Sequence, residues 1–390
     1  MSDLTMPLTD QWPDIREGVA RICDEYPNDY WTRLDLASEY PQAFVDALTA
    51  AGYLAALIPE EYGGAGLPIA AGGAILEAIH ASGCNAAACH AQMYTMGTLL
   101  RHGSPEQKQR YLPDIASGAL RMQAFGVTEP SSGTDTTRIT TRAVRDGDDY
   151  IVSGQKVFIS RVEHSDLMLL LVRTTARDQV EKRTQGMSVL LVDLREAVGN
   201  GLTVRPLETM LNHATTELFF DQLRVPAENL IGEEGKGFGY ILDGMNAERI
   251  LIAAECIGDA RWFVEKASAY AKEREVFGGP IGKNQGVQFP IARAYVQTEA
   301  AAQMVAVASD LFDAGEPCGS QANMAKLLAS EASWAAADMC LQTHGGYGFA
   351  TEYDVERKFR ETRLYQVAPI STNLILSNIA THILGLPKSF

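Results

Sequence analysis

Residues Phe125–Asp135, FGVTEPSSGTD, carry the groups that hold a flat polar ligand. Gly126 allows close backbone approach, and Thr128 offers a hydroxyl beside exposed amides. Pro130-Ser131-Ser132-Gly133 forces a turn, which Thr134 and Asp135 leave with polar tips. Further along, Val157-Phe158-Ile159-Ser160 ends a strand-like run and adds a flat aromatic and a second hydroxyl. The two runs together suit a planar polar ring system held by several hydrogen bonds against one aromatic wall. Taken singly, each is better explained by the bland reading, a polar loop and a hairpin in an antiparallel sheet. The rest of the chain has to decide.

Composition narrows the choice. The 390 residues, 46% of them hydrophobic, suit about two or three domains with full cores. Basic residues number 33 against 49 acidic ones, a formal charge of −16. That balance argues against nucleic acid or an anionic membrane as the main partner. An anionic small ligand is compatible, because it needs only a few local cations. No apolar run is long enough to span a bilayer, and the opening MSDLTMPLTDQWPDI lacks a basic stretch followed by an apolar one. The expectation is a cytoplasmic protein without a secretory leader. Cys23, Cys84, Cys89, Cys256, Cys318 and Cys340 form no C-x-x-C pair and suit neither zinc nor a disulfide framework. Cys89 and His90 are adjacent, but helix neighbours point about 100° apart. The cysteines read as reduced thiols in small core positions.

The elements that must position the cradle fall into three blocks, an α+β arrangement that is mainly α. Residues 1–122 read as helical. Apolar Ile15, Val19 and Ile22 recur at helical spacing, and a helix from Pro41 to Ala51 closes at Gly52. Residues 59–66 form a glycine-rich loop. The stretch 69–101 reads as a buried helical hairpin broken near Gly83-Cys84-Asn85, and Ser104 with Gln107 marks the next helix start. Residues 123–230 change to period two. Strands are predicted at 123–128, 139–145, 150–160, 167–174, 187–194, 202–206 and 217–225, with a turn at Asp146-Gly147-Asp148-Asp149, as in an antiparallel barrel or sandwich. Residues 231–390 return to long alanine-rich helices at 238–274, 284–313, 318–344, 353–365 and 371–384, as in an up-down four-helix bundle.

This order, with VTEPSSGTD (127–135) at the first junction, resembles the acyl-CoA dehydrogenase family. The resemblance runs from residue 12 to 386 and includes GQKVFIS (154–160), VPAENLIGEEGKGF (225–238), NAERI (246–250), REVFGGPIGKNQGVQF (274–289), QTHGGYGFATEYDVER (342–357) and RETRLYQ (360–366). It implies an FAD enzyme that oxidises an acyl-CoA thioester to the 2-enoyl-CoA and passes electrons to an electron-transferring flavoprotein. It also implies a homotetramer or homodimer. By position, Phe125, Val127 and Thr128 resemble contacts to the flavin ring, and Gly133 and Ile159 join that set. Phe158 stands for a tryptophan against the ring, and Ser160 for a threonine. Thr134 stands where a serine meets the CoA arm. Arg274, Phe277 and Gln285 resemble contacts to the adenine and pyrophosphate of a neighbouring subunit's FAD. Gln342, Gly345 and Gly346 resemble a second inter-subunit contact, and Ser371 and Asn373 fall on positions that often touch FAD. The chemistry agrees, since a pyrophosphate needs cations or exposed amides and Arg274 with Gly345-Gly346 supplies them.

The reaction needs a carboxylate for the α-proton. Many family members place a glutamate where this chain has Pro369. In a second branch, of isovaleryl- and long-chain type, the base precedes a near-invariant arginine on the long helix, which here makes it Glu248, before Arg249. Glu248 shares a helix face with Ile241, Met245, Leu251 and Ile252 and has no basic i±3 or i±4 neighbour. Glu255 on the same helix reads as an exposed glutamate. Asn246, Arg249 and Thr134 are the implied substrate contacts. Proline lacks the N–H that helps polarise the thioester carbonyl in the family. An amide of Ile370 or Ala368, or the flavin ribityl hydroxyl, must replace it, or the chemistry differs. The alternatives are a same-scaffold flavin oxidase or monooxygenase and a non-catalytic acyl-CoA-binding member. The acyl group is not legible. The 69–101 hairpin is expected to wall its pocket, and small Ala86, Ala87, Ala88 and Ala91 suit room or tight packing alike. His90 and Gln92 read as satisfied core or surface groups before acyl contacts.

Overall fold

In the computed structural model residues 11–388 are described. Helices α1 (Pro13–Cys23), α2 (Asn28–Ala37), α3 (Gln42–Ala50), α4 (Ile69–Ala81), α5 (Ala87–His102) and α6 (Pro105–Ser117) come first. Strands β1 (Ala124–Gly126), β2 (Arg142–Asp146), β3 (Asp149–Ser160), β4 (Leu167–Arg173) and β5 (Met187–Asp193) follow. The short α7 (Leu194–Ala197) then leads to β6 (Leu202–Pro206), β7 (Thr215–Pro226) and β8 (Leu230–Ile231). Helices α8 (Gly237–Glu273), α9 (Gln285–Asp313), α10 (Gly319–His344), α11 (Val355–Arg363) and α12 (Thr372–Asn378) complete the order. The opening residues read for a secretory leader lie, up to residue 10, outside the described part. No described helix is long and apolar enough to cross a membrane.

The chain divides into two compact units. One takes in the described residues up to Ala37, Pro68–Ala86 and the chain from Asn246 on; the other takes in Ser38–Leu67 and Ala87–Met245. The break predicted at 83–85 in the 69–101 hairpin falls between α4 and α5. Its two arms, α4 and α5, belong to different units. Helix α4 packs with α1 and α9, and α5 packs with α3, α6 and β1. Apolar composition foretells burial of both arms but not which neighbour each one takes.

In the second unit the strands form one sheet in the order β6-β7-β3-β2-β4-β5-β8, with β1 beside β4. The antiparallel expectation holds for most neighbours. It fails at β1–β4, which is parallel, and at the single β2–β4 pair, Arg142 with Arg173. Strand β4 is buried along its whole length. Leu167, Leu169 and Leu171 face the cluster built with Met96, Leu99, Tyr111 and Leu112, while Met168, Leu170 and Val172 face the opposite core with Val152 and Phe220. A strand covered on both faces reads as a continuous apolar run, as LMLLLV does. The Ser104 prediction holds in full: its hydroxyl accepts from Gln107 N, and the Gln107 amide reaches back, a capping box.

The first unit is held by close helix packing and by buried charge. Ala260, Ala267, Ala294, Ala336 and Ala337 bring helices together around Phe263 and Val355. His80 Nδ1 donates to Asp259 at 2.7 Å, and His80 Nε2 accepts from Ala86 N at 3.2 Å. The Lys358 ammonium sits on the same Asp259. Burial pushes the Asp259 carboxyl up, but Lys358 and His80 outweigh it and hold it at about 2. Arg357 is clamped by Asp354 and Glu361 and donates to Gly83 O at 2.8 Å. Such pairs are strongly destabilising to break, because each would leave an uncompensated charge inside. Glu255 is 1% exposed and lies 4.0 Å from His80 Nε2. This corrects its reading as an exposed glutamate, since the helix on which it sits is buried all round at that level.

Candidate active site

The cradle of the second unit is pinned by a carboxylate. Glu129 and Ser132 exchange backbone hydrogen bonds, at 3.1 and 3.0 Å, and close a tight turn. The Glu129 side chain, 3% exposed, accepts from Thr140 N (2.6 Å), Thr140 Oγ1 (2.8 Å), Thr141 N (2.9 Å) and Lys156 Nζ (3.0 Å). Burial pushes its pKa up. The Lys156 ammonium, the Thr141 hydroxyl and the Thr140 and Thr141 amides overcome that and hold it at about 2. Those amides are spent on Glu129 instead of on a neighbouring strand, which explains why β2 begins at Arg142 and not at the predicted residue 139. Lys156 also donates to Val127 O at 2.9 Å. Glu129 therefore ties the turn to β2 and β3, a role the sequence reading missed. Its partners lie eleven to 27 residues away, and no local spacing announces them.

Around this pin the predicted contact residues take distinct positions. Phe125 is half-buried at the centre of β1, with its ring 6.0 Å from that of Tyr94. A Cβ at Gly126 would lie 2.8 Å from Leu170 Cδ1, so the close approach expected there is to β4. Val127 packs against the core, and Thr128 O accepts from Val157 N at 3.0 Å. Gly133 and Thr134 are exposed, with open space at Gly133. Phe158 sits where the β3–β7 register slips between Lys156 and Ile159. Its φ is +59° and its side chain is 63% exposed. A bulky residue in the left-handed region is a strained position that stands out at functional sites. The slip leaves Phe158 outside while Ile159 enters the core, so only backbone remains at Ile159 to offer a ligand. Ser160 is half-buried opposite Thr215.

The first unit carries a second set. Arg274, Gly345 and Gly346 line one open cleft of about 600 Å³ with Tyr270, Thr343 and Tyr347. The Arg274 guanidinium lies 5.7 Å from the Tyr347 ring centre. Gly345 leaves α10 at φ +59°, and neither glycine has an atom within 4 Å of where a Cβ would stand. Exposed amides and a cation around open space fit a pyrophosphate. Gln342 is exposed on the last turn of α10, and Gln285 is exposed at the first residue of α9. Phe277 is fully exposed at φ +53°. With Gly278 it occupies the centre of a tight turn closed by Val276 N to Gly279 O at 2.9 Å. Ser371 caps α12 by accepting from Leu374 N, and Asn373 is exposed.

Glu248 is half-buried on α8, with Leu251 and Ile252 buried on its face. Arg249 donates to Asn246 Oδ1 at 2.9 Å. Burial pulls the Arg249 pKa below the usual arginine value, opposed by Glu248 and Cys318. A third charge reaches the pair from another helix. Lys326 on α10 is fully buried, and its Nζ donates to Ile370 O at 2.7 Å. Burial draws its pKa down to about 8, with Arg249 adding to the effect and Cys256 and Glu248 opposing it. The absence of a basic neighbour along α8 thus does not isolate Glu248 from cations. Sequence reasoning passed over Lys326, whose only signal is a lysine in an alanine-rich buried run. Pro369 follows a cis peptide bond. The Ala368 amide is used, donating to Leu364 O at 2.9 Å. Among the described residues the Ile370 amide has no hydrogen-bond partner. His90 and Gln92 are buried, with Gln92 reaching Leu54 O at 3.5 Å. All six cysteines are buried, and none is in a disulfide among the described residues.

Three family models match in order: the acyl-CoA dehydrogenase N-terminal domain over residues 9–119, the middle domain over 124–223 and the C-terminal domain over 235–384. The chain is 34% identical over 393 residues to an acyl-CoA dehydrogenase, fadE12, of Mycobacterium bovis, covering 100% of both chains. It is 36% identical over 391 residues to the cyclohex-1-ene-1-carbonyl-CoA dehydrogenase of Syntrophus aciditrophicus, covering 99% of this chain and 92% of the other. Its fold matches that of a glutaryl-CoA dehydrogenase of Mycobacterium smegmatis in complex with FADH2. There the TM-score is 0.90 at 25% identity, over 99% of this chain and 98% of that one.

Proposed function

We propose that this chain, which belongs to the acyl-CoA dehydrogenase family of FAD-dependent oxidoreductases, uses Glu248 to take the α-proton of its acyl-CoA thioester. The observation that carries the assignment is the setting of Glu248: half-buried on an apolar helix face, next to Arg249 and within the field of the buried Lys326. A carboxylate in such a place is shielded from bulk water, as a base that must capture a carbon-bound proton requires. When bound, FAD supplies the acceptor for the hydride that leaves the β-carbon.

The Ile370 amide is the proposed donor to the thioester carbonyl, since Pro369 has no N–H and the Ala368 amide is spent. Lys326 grips the Ile370 carbonyl, in the peptide unit that follows this amide, and so fixes the residue on its C-terminal side. Phe125, Val127, Thr128, Phe158, Ser160 and the backbone of Ile159 are assigned to one face of the flavin. Gly133 and Thr134 are assigned to the phosphate and CoA side, with Asn246 and Arg249 as further substrate contacts. Arg274, Phe277, Gln285, Gln342, Gly345, Gly346, Ser371 and Asn373 are assigned to the rest of the dinucleotide, in part that of a neighbouring subunit. A homotetramer or homodimer follows from this division. Exposed Phe277, Phe289, Val296 and Phe349 are apolar surface that such an assembly would cover. The working division is residues 1–122, 123–230 and 231–390, with an electron-transferring flavoprotein as the acceptor and the cytoplasm as the location. Anaerobic titration of the yellow protein with straight, branched and ring-bearing acyl-CoAs tests the reading. Bleaching with at least one thioester is expected. Indifference to all of them, with fast reoxidation of the reduced flavin by oxygen, would favour a same-scaffold oxidase.

A further inference from the structure

Two of the six cysteines are neighbours in space, although they stand 61 residues apart in the chain. Cys23 ends α1, and Cys84 stands in the turn that follows α4, within the same compact unit. The Cys23 thiol donates to the Cys84 sulfur. Cys84 Sγ also lies 3.9 Å from Cys23 O and 3.9 Å from Tyr26 O, at the turn that Tyr26 N closes onto Cys23 O at 2.9 Å. Both cysteines are buried, but the burial is shallow. Asp24, Glu25 and Ser82, one or two residues away, are exposed.

The surroundings treat the two sulfurs differently. Arg357 donates to Gly83 O at 2.8 Å and Lys358 Nζ to Cys84 O at 3.3 Å, which brings two cations to the Cys84 side. The hydrogen bond from Cys23 draws the Cys84 pKa down against burial, and Trp31, Arg357 and Lys358 add to it. The same hydrogen bond, and then burial, pushes the Cys23 thiol up. Burial also pushes the Cys256, Cys318 and Cys340 thiols up. The thiolate is the form that attacks an oxidant, and nearby cations favour it. Cys84 therefore has the character of an attacking sulfur, with Cys23 placed to resolve it. Gly83 fixes where Cys84 stands, since its φ is +83° and a Cβ there would lie 2.8 Å from Trp262 Nε1.

We propose that Cys84 is an oxidation site, and that peroxide converts the pair into a Cys23–Cys84 disulfide that staples α1 to the end of α4. The Cys84 thiolate attacks one oxygen of hydrogen peroxide. The O–O bond breaks, and the hydroxide that leaves takes up a proton as water. Cys23 then loses its proton and attacks the sulfur of the Cys84 sulfenic acid, expelling the remaining oxygen as a second water. Two thiols and one peroxide give one disulfide and two waters, and two electrons pass from the sulfurs to the peroxide. The crosslink closes a long stretch of chain, so it removes much of the freedom of the unfolded state.

The test treats the reduced holoenzyme with hydrogen peroxide, alkylates the remaining thiols in denaturant and maps the peptides by mass spectrometry. A peptide linked through Cys23 and Cys84 is expected as the first product, with Cys89, Cys256, Cys318 and Cys340 still alkylated. The melting temperature should rise by roughly 3–8 °C and fall back on adding dithiothreitol. In Cys23→Ala the rise should vanish, and Cys84 should pass on to the sulfinic acid. In Cys84→Ala, Cys23 should stay reduced under the same treatment. Flavin absorbance reports whether each variant is folded. Oxidation that begins at another cysteine overturns the proposal, as does treatment that leaves Cys23 and Cys84 both alkylated. A linked peptide in the wild type with an unchanged melting temperature overturns the staple.

Discussion

Of the three lysines fully buried among the described residues, two, Lys156 and Lys326, lie one in each compact unit and have pKa values that burial draws down to about 8. Their partners differ. Lys156 sits on the Glu129 carboxylate at 3.0 Å, and Glu129 is in turn saturated by two amides and a hydroxyl. Among the described residues Lys326 donates to a neutral oxygen, Ile370 O, and forms no ion pair. The charges that act on it from a distance, Glu248 and Arg249, belong to the proposed chemistry. Burial marks both residues alike, and the partner separates a closed structural lock from a cation whose field falls on the proposed base. The first lysine should then govern stability and the second the pH dependence of turnover.

The largest expected effect breaks the lock. Lys156→Met or Glu129→Gln should lower unfolding stability by about 3–5 kcal/mol in urea titrations. The double replacement Glu129→Leu with Lys156→Met should recover most of that, and a double variant as unstable as either single one would deny that the pair is the cause. The same lock predicts an acid limit. The Glu129 pKa is depressed on folding, from an ordinary 4.5 to about 2. Its contribution is therefore complete above about pH 4.5 and is lost as the pH falls through about 2. Glu129→Gln should flatten this part of the acid-unfolding curve.

Next in size is Lys326→Met. Removing a cation raises a neighbouring carboxylate's pKa, so the acid limb of the kcat/KM profile should move up by roughly one pH unit. Lys156→Met should leave that limb in place. Equal shifts in both variants, or none in either, would erase the distinction between the two lysines. The smallest effect concerns the strained aromatic. Phe158→Gly relieves a left-handed conformation that costs about 1–2 kcal/mol. The cofactor-free variant should melt no lower than the wild type while releasing FAD more readily, and a markedly lower melting temperature would make Phe158 a packing residue.

What could be read from the chain follows the range of the interactions. Features settled within one turn are visible: Gly52 ending α3, Gln107 answering Ser104, and the Gly147 turn between β2 and β3. Continuous alanine and leucine runs reveal burial. Features that depend on distant partners are hidden. Glu129 meets Lys156, Asp259 meets His80 and Lys358, and Lys326 meets Ile370 across 27 to 179 residues. The slip that turns Phe158 outward is likewise invisible, because it depends on how β3 pairs with β7. Glu248 is singled out as the proposed base by its place beside Arg249, whereas Lys326 on α10 is brought to notice only by the fold.

The central claim, that Glu248 takes the α-proton, is tested most directly by anaerobic rapid mixing of Glu248→Gln with a thioester that bleaches the wild type. The variant should retain its yellow flavin and bind the thioester, while flavin reduction slows by roughly a hundredfold to ten-thousandfold. Reduction at the wild-type rate would contradict the account.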